Sequence, residues 1–265
     1  MQKTWRSHLL VSYALAVLAF LYLPILILAL YSFNDSRMNA VWAGFTFKWY
    51  SQLFNNRHVA EALANTLIIG FISTAVSTIL GTTAALALHK YRYKYRGILN
   101  GFIYLPILIP EIVLFSQIYL SLGRTSIILA HITFCLSFVV ITVGARLDGL
   151  KQEYEEAAGD LYARPWQCFR YITLPLIMPG ITAGALIAFT LSIDDFIISF
   201  FAAGPNSTTL PLYIYAMVKR GISPEINALS TLMIAAEIAL VLLADFFQIR
   251  QAGTGRKKEL PDDRQ

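Results

Sequence analysis

The stretch Glu156-Ala157-Ala158-Gly159-Asp160-Leu161-Tyr162-Ala163, running on to Ile172-Thr173-Leu174-Pro175, is a charged, helix-forming island in a chain made mostly of long apolar runs. Leu150, Tyr154, Ala157, Ala158 and Leu161 recur at helical spacing, with Glu153, Glu155, Glu156 and Asp160 on the other faces, which predicts an amphipathic helix. Arg164 stands before a proline and so avoids the helical region, which ends that helix. Pro165 suits the first turn of a second short helix, presenting Trp166, Phe169 and Ile172 on one side. Pro175 and Pro179 then open an apolar run. The small Ala157-Ala158 step lets another backbone approach, and Glu156 beside it offers an anchor for a basic or backbone-donor partner. The other reading is a helix lying on lipid headgroups. Such helices are basic on their polar face, whereas this one has four acids in eight residues. The island therefore predicts a docking element for a soluble partner.

The rest of the chain sets the environment of that element. Of its 265 residues 57% are hydrophobic and 14% charged, with a mean hydropathy of +0.58. A soluble domain carries about a quarter charged residues, so the class is integral membrane. A bilayer core takes about 20 apolar residues as a helix. Six runs qualify, at about 9–31, 62–88, 98–122, 125–145, 174–203 and 226–249, in one domain over residues 1–265. The first run is too long for a cleaved signal peptide, whose apolar region is about 7–15 residues.

Orientation follows from the basic residues. One set of flanks holds fifteen of the 21 lysines and arginines, including Lys3, Arg6, Lys90, Arg96, Arg146, Lys151 and the tail, and the opposite flanks hold six. Both termini and the loop 146–173 are expected in the cytoplasm, and six spans agree with that parity. The same placement explains the net charge of +5 without nucleic acid. Trp42, Phe45, Trp49 and Tyr50 in the segment 32–61 suit a membrane interface or a surface that meets an external partner. Cys135 lies in an apolar run and Cys168 in a charged loop, which predicts neither a disulfide nor a metal site.

At the island the sequence resembles a known family. Glu-Ala-Ala, three residues, glycine, nine residues and Ile-x-Leu-Pro is the cytoplasmic motif of the permeases of ABC importers. Glu156, Ala157, Ala158, Ile172, Leu174 and Pro175 match at the family spacing, and Tyr162 stands at the family glycine. The segments Tyr31–Asn34, Lys48–Tyr50, His131–Cys135, Phe189–Asp195 and Val218–Leu229 are similar to PotC-type permeases of spermidine/putrescine importers. The resemblance covers nearly the whole chain. It implies an all-α membrane fold of six transmembrane helices, the type I importer permease fold, in which the island is a coupling helix seated in a cleft of an ATPase subunit. It further implies a bacterial inner-membrane location and, as partners, a second PotB-like permease, two ATPase subunits and a periplasmic solute-binding protein. ATP and magnesium would be bound by the ATPases, with no cofactor in this chain. The family glycine permits a tight turn, so Tyr162 must either take an unfavourable backbone conformation or reshape that turn.

Acids inside the spans are candidates for the path of a cation. Asp194 and Asp195 each cost roughly 2.5–3.5 kcal/mol at a span centre, and a carboxylate on the path lowers the barrier for a polycation. Successive helical residues point about 100° apart, so the two do not face one pore equally. Glu111 follows Pro110 in a span that Pro106 and Pro110 loosen, and it is the third path candidate. Glu237 lies deep in the last span and Asp245 near its end. His131 reads as a hydrogen-bonded packing residue, and Gly180-x-x-x-Gly184 as a close helix contact.

The sequence has no G-x-x-x-x-G-K-[ST] loop for ATP phosphates, no metal-spaced His/Cys cluster and no G-x-S-x-G. The chain is expected to be non-catalytic. An intramembrane aspartyl protease needs two convergent carboxylates, and adjacent Asp194 and Asp195 do not converge. An ion-coupled secondary transporter usually shows repeats and has no use for the Glu156 island. A permease for another cationic or small solute is the alternative within the family.

Overall fold

The computed structural model describes residues 2–36, 41–91, 94–108, 121–151, 153–221 and 223–256. The described residues are helical throughout, apart from connecting segments and one isolated β-bridge between Asn34 and Phe45. Five helical stretches are long and apolar enough to cross a membrane: Leu10–Tyr31, Arg57–Lys90, Arg124–Asp148, Pro165–Asp194 and Pro224–Leu243. A shorter apolar helix covers Gly97–Ile107. It lies in the run expected at 98–122, whose remainder, Glu111 included, falls outside the described residues.

The chain divides into two compact units, Met1–Ala60 with Tyr213–Ala236, and Glu61–Leu212 with Glu237–Gln265. In the first, α1 (Gln2–Tyr31) leads into a tight loop built around Asn34. Asn34 is fully buried. Its side-chain amide donates to the Val41 carbonyl at 2.9 Å and its Oδ1 accepts the Ala43 amide at 2.8 Å. The Trp49 indole, from α2 (Lys48–Asn55), donates to the Asn34 carbonyl at 2.7 Å. These bonds hold Phe33, Phe45, Phe47 and Tyr50 in one aromatic cluster, with Phe33 ring centroids 5.2–5.5 Å from the other three.

The second unit is a bundle around α5 (Arg124–Asp148), packed against α3 (Arg57–Lys90), α4 (Arg96–Leu108) and α8 (Leu174–Asp194). Its core gathers Ala85, Cys135, Val139, Val143, Leu147, Ile177 and Ala188. Small residues set the helix spacing. A Cβ added at Gly81 would come within 2.7 Å of Val139 Cγ1, and one at Gly180 within 2.8 Å of Arg146 Cβ. Gly184 lies four residues further along, against the Val139 backbone. The G-x-x-x-G pair is therefore a place of close approach between α8 and α5 inside this chain.

The apolar run expected as one span over 174–203 is interrupted. Helix α8 stops at Asp194, Asp195 turns extended (φ −67°, ψ 121°), and a separate short helix, α9 (Ile197–Ala202), follows. A side-chain acceptor makes the break possible: Asp195 Oδ2 takes the Ser199 amide at 3.0 Å, replacing an acceptor the broken helix no longer provides. Beyond α9, Asn65 of α3 donates to the carbonyls of Asn206 and Thr208 and accepts from Arg124 at 2.6 Å, tying the following loop to α3 and α5. Helices α10 (Leu210–Arg220) and α11 (Pro224–Arg256) complete the described residues.

Candidate functional site

The Glu156 island forms the helix-turn-helix that its periodicity predicts. Helix α6 spans Glu153–Asp160, with three glutamates in its first turn, where the helix dipole favours them. Its end is a Schellman motif: the Ala163 amide reaches the Ala158 carbonyl at 3.0 Å, and the Tyr162 amide reaches the Gly159 carbonyl at 2.9 Å. That motif needs a left-handed residue at its corner. Tyr162 supplies it at φ 56°, so the tight turn survives without its glycine.

Helix α7 (Pro165–Cys168) starts at the expected proline, and the Arg164 amide is capped by Gln167 Oε1 at 2.8 Å. A π-helical turn, Phe169–Thr173, then runs into α8. Its wide geometry follows from Pro175, which has no amide to donate and whose ring crowds the Tyr171 carbonyl. The Leu174 amide instead bonds back to Phe169. Thr173 Oγ1 donates to Glu155 Oε1 at 2.8 Å, stapling α6 to this turn.

Ala158 is buried, whereas Glu156 and Ala157 are exposed. Leu161 is 83% exposed, Tyr162 93%, Trp166 66% and Tyr171 72%. Ile172 and Leu174 are half-buried and Pro175 is exposed. The island thus presents large apolar side chains that its own chain leaves uncovered, beside the Glu156 carboxylate. A groove of about 990 Å³ runs between the island and the ends of α3 and α5, lined by Lys90, Asp148, Lys151, Glu155, Trp166 and Phe169 among others.

The second group of candidates lies at the other end of α8. Asp194 is exposed on its last turn, and Asp195 is half-buried in the break. Asp194 lies within Coulombic reach of both Asp195 and Glu237 of α11. Glu237 was legible in the sequence only as an unexplained acid; the fold places it within Coulombic reach of a path candidate. Among the described residues no lysine or arginine pairs with Asp194 or Glu237. Glu111 falls outside the described residues. His131, read in the sequence as a packing residue, sits at 1% exposure against Ser192 and Asp195. Its involvement had no sequence signal beyond a polar residue in an apolar run. Among the described residues no cluster of His, Cys, Asp and Glu could hold a metal ion.

Spans joined by a polar helix-turn-helix with an uncovered apolar face, and unpaired acids beside a helix break, define the membrane subunit of a transporter. The chain belongs to the family of binding-protein-dependent transport system inner membrane components, whose model matches residues 77–251. It is 42% identical over 234 residues to the spermidine/putrescine transport system permease protein PotC of Escherichia coli (strain K12), covering 86% of this chain and 89% of that protein. It is 39% identical over 251 residues to the putrescine transport system permease protein PotI of the same strain, covering 89% and 87%. A solved structure of a bacterial ABC transporter involved in the import of the acidic polysaccharide alginate shares the fold, with a TM-score of 0.73 at 20% identity over 94% of this chain and 96% of that one.

Proposed function

We propose that this inner-membrane permease imports a polyamine, spermidine or putrescine, on energy supplied by separate ATPase subunits. The unpaired acids carry the substrate class. Asp194 and Glu237 lie within Coulombic reach of each other without a basic partner among the described residues, and two ammonium groups would neutralise what the protein leaves charged. The relatives that transport spermidine and putrescine support the same class. An acidic polysaccharide, the substrate of the structural neighbour, would be repelled at this place.

The Glu156 island is the coupling element. It lies in the cytoplasm, together with both termini, and its exposed Leu161, Tyr162 and Trp166 seat in an ATPase cleft with Glu156 as the polar anchor. The ATPases bind ATP and magnesium, and this chain catalyses nothing itself. A second, PotB-like permease completes the path, and a periplasmic binding protein delivers the solute. ATP-driven closure of the ATPases pushes the island, the push passes into α8, and the spans switch from inward- to outward-facing. Asp194 lines the path that opens; Glu111 is a further path candidate.

The test is reconstitution of the complete complex in proteoliposomes, with spermidine, putrescine, a basic amino acid and a neutral sugar offered through the binding protein. Stimulation of ATP hydrolysis and uptake by the polyamines alone supports the reading; stimulation by a non-cationic solute overturns it.

A further inference from the structure

The break between α8 and α9 is bridged by a residue that belongs to neither helix. His131 reaches in from α5, and its ring meets the last turn of α8 and the carboxylate in the break. Nδ1 lies 2.6 Å from Ser192 Oγ, in the last turn of α8. Nε2 faces Asp195 Oδ2 at 3.4 Å. That same oxygen accepts the Ser199 amide in the first turn of α9. One neutral tautomer fits these partners: the Ser192 hydroxyl donates to Nδ1, and Nε2 carries the proton beside the carboxylate. The Nε2 separation is longer than the 2.7–3.2 Å of a formed N–H···O bond, and Nε2 makes no hydrogen bond elsewhere. It is a buried donor whose facing acceptor is Asp195.

Asp195 needs that company. Its neighbour Asp194 carries a like charge within Coulombic reach and faces outward. An unheld Asp195 carboxylate would be drawn toward any cation or water that Asp194 attracts, and Ser199 would lose its cap.

We propose that His131 is a positioning residue for transport. It holds Asp195 on the α9 side of the break, so that Asp194 alone of the two presents its carboxylate to the moving cation and the break keeps its shape while α8 shifts. The two adjacent aspartates thereby take different jobs, one in the path and one in the scaffold. This rests on the reading of Asp194 as a path residue, but the clamp itself can be measured without any substrate.

The experiment uses the full complex of both permeases, the ATPases and the binding protein, carrying His131→Leu, His131→Gln or His131→Asn. Leucine fills the volume without a donor. The glutamine amide reaches the place of Nε2, and the asparagine amide reaches only the place of Nδ1. Hydrogen exchange of the Ser199 amide is followed in nanodiscs, and uptake per ATP hydrolysed in proteoliposomes. His131→Leu and His131→Asn are expected to speed Ser199 exchange at least ten-fold and to cut uptake per ATP at least five-fold, with His131→Gln within two-fold of wild type on both. In the Leu background, Asp195→Asn should add no further loss. Wild-type behaviour of the leucine or asparagine variant overturns the proposal, as does a glutamine variant as impaired as they are. Where the leucine variant does not assemble, the glutamine and asparagine pair decides. A wild-type complex that ignores polyamines refutes the substrate reading alone, because Ser199 exchange still reports the clamp.

Discussion

Tyr162→Gly tests the turn that carries the proposed coupling segment. At φ 56° a residue with a Cβ costs about 1–2 kcal/mol relative to the right-handed region. Glycine removes that cost, but it also has more freedom in the unfolded chain, which takes back about 0.4–1 kcal/mol. The tyrosine ring contributes nothing to offset the strain within this chain, because the residue is 93% exposed. The net effect should favour glycine by about 0.5–1 kcal/mol, which is about a two- to five-fold shift in the opening of the turn. The Ala163 amide reports that opening, since its bond to the Ala158 carbonyl closes the motif. Hydrogen exchange at Ala163 in the purified permease, before the ATPase is added, should slow two- to five-fold in Tyr162→Gly and accelerate in Tyr162→Val, whose branched Cβ tolerates this backbone least. Adding the ATPase separates the backbone role from the ring's contacts. Faster exchange in the glycine variant would refute the argument, because the ring would then be holding the turn.

Glu156→Lys should leave membrane insertion intact and lower uptake per ATP hydrolysed at least ten-fold, the size expected from losing a charge-assisted bond of about 1.5–3 kcal/mol; wild-type transport in that variant removes the docking role. Asp194→Asn should lower polyamine uptake several-fold while the complex still assembles and hydrolyses ATP, whereas equal loss of assembly and uptake marks the acid as structural. Gly204→Ala should destabilise the permease by about 1–3 kcal/mol, because its Cβ would run into the Leu122 carbonyl; thermal unfolding of the solubilised protein within a degree of wild type would contradict that contact.

The parts of this chain that were legible in the sequence are those governed by local rules. The helix-turn-helix at 153–173 follows from apolar spacing, a proline that opens the second helix, and acids in the first turn. The left-handed turn was also legible as one of two outcomes, and the backbone took the strained one because the Schellman bonds outweigh the strain at a single residue. The interruption at Asp195 was not legible, since Phe196 to Phe201 continue the apolar run without a glycine or proline. Its causes are distant: a carboxylate that caps Ser199, a histidine from α5, and a loop fixed by Asn65 of α3. The Coulombic reach between Asp194 and Glu237 is hidden for the same reason, because the two lie on different helices and no spacing relates them. The helices also outrun their apolar runs, α3 beginning at Arg57 and α11 reaching Arg256. Hydropathy marks what the bilayer requires, while backbone bonding continues into polar sequence.

The two candidate sites are the two ends of one helix, and that makes α8 the mechanical link between them. Its 21 residues span about 30 Å at 1.5 Å per residue. The lower end is continuous through the π-helical turn with α7 and is stapled to α6 by Thr173 and Glu155. The upper end carries Asp194 and stops at the break. Between them, Gly180 brings α8 so close to Arg146 of α5 that an added Cβ would collide there, and Gly184 packs against Val139 one turn further on, which gives the helix a close line of contact along α5. A helix held along such a line could tilt or rotate about it with little repacking, and under the proposed coupling a displacement of the island would be delivered to Asp194. Bending in such a movement would be absorbed at the two places where the helical bonding is already irregular. In the proposed coupling, the π-turn below and the Asp195 break above would serve as the joints of the lever, and the glycine pair as its bearing.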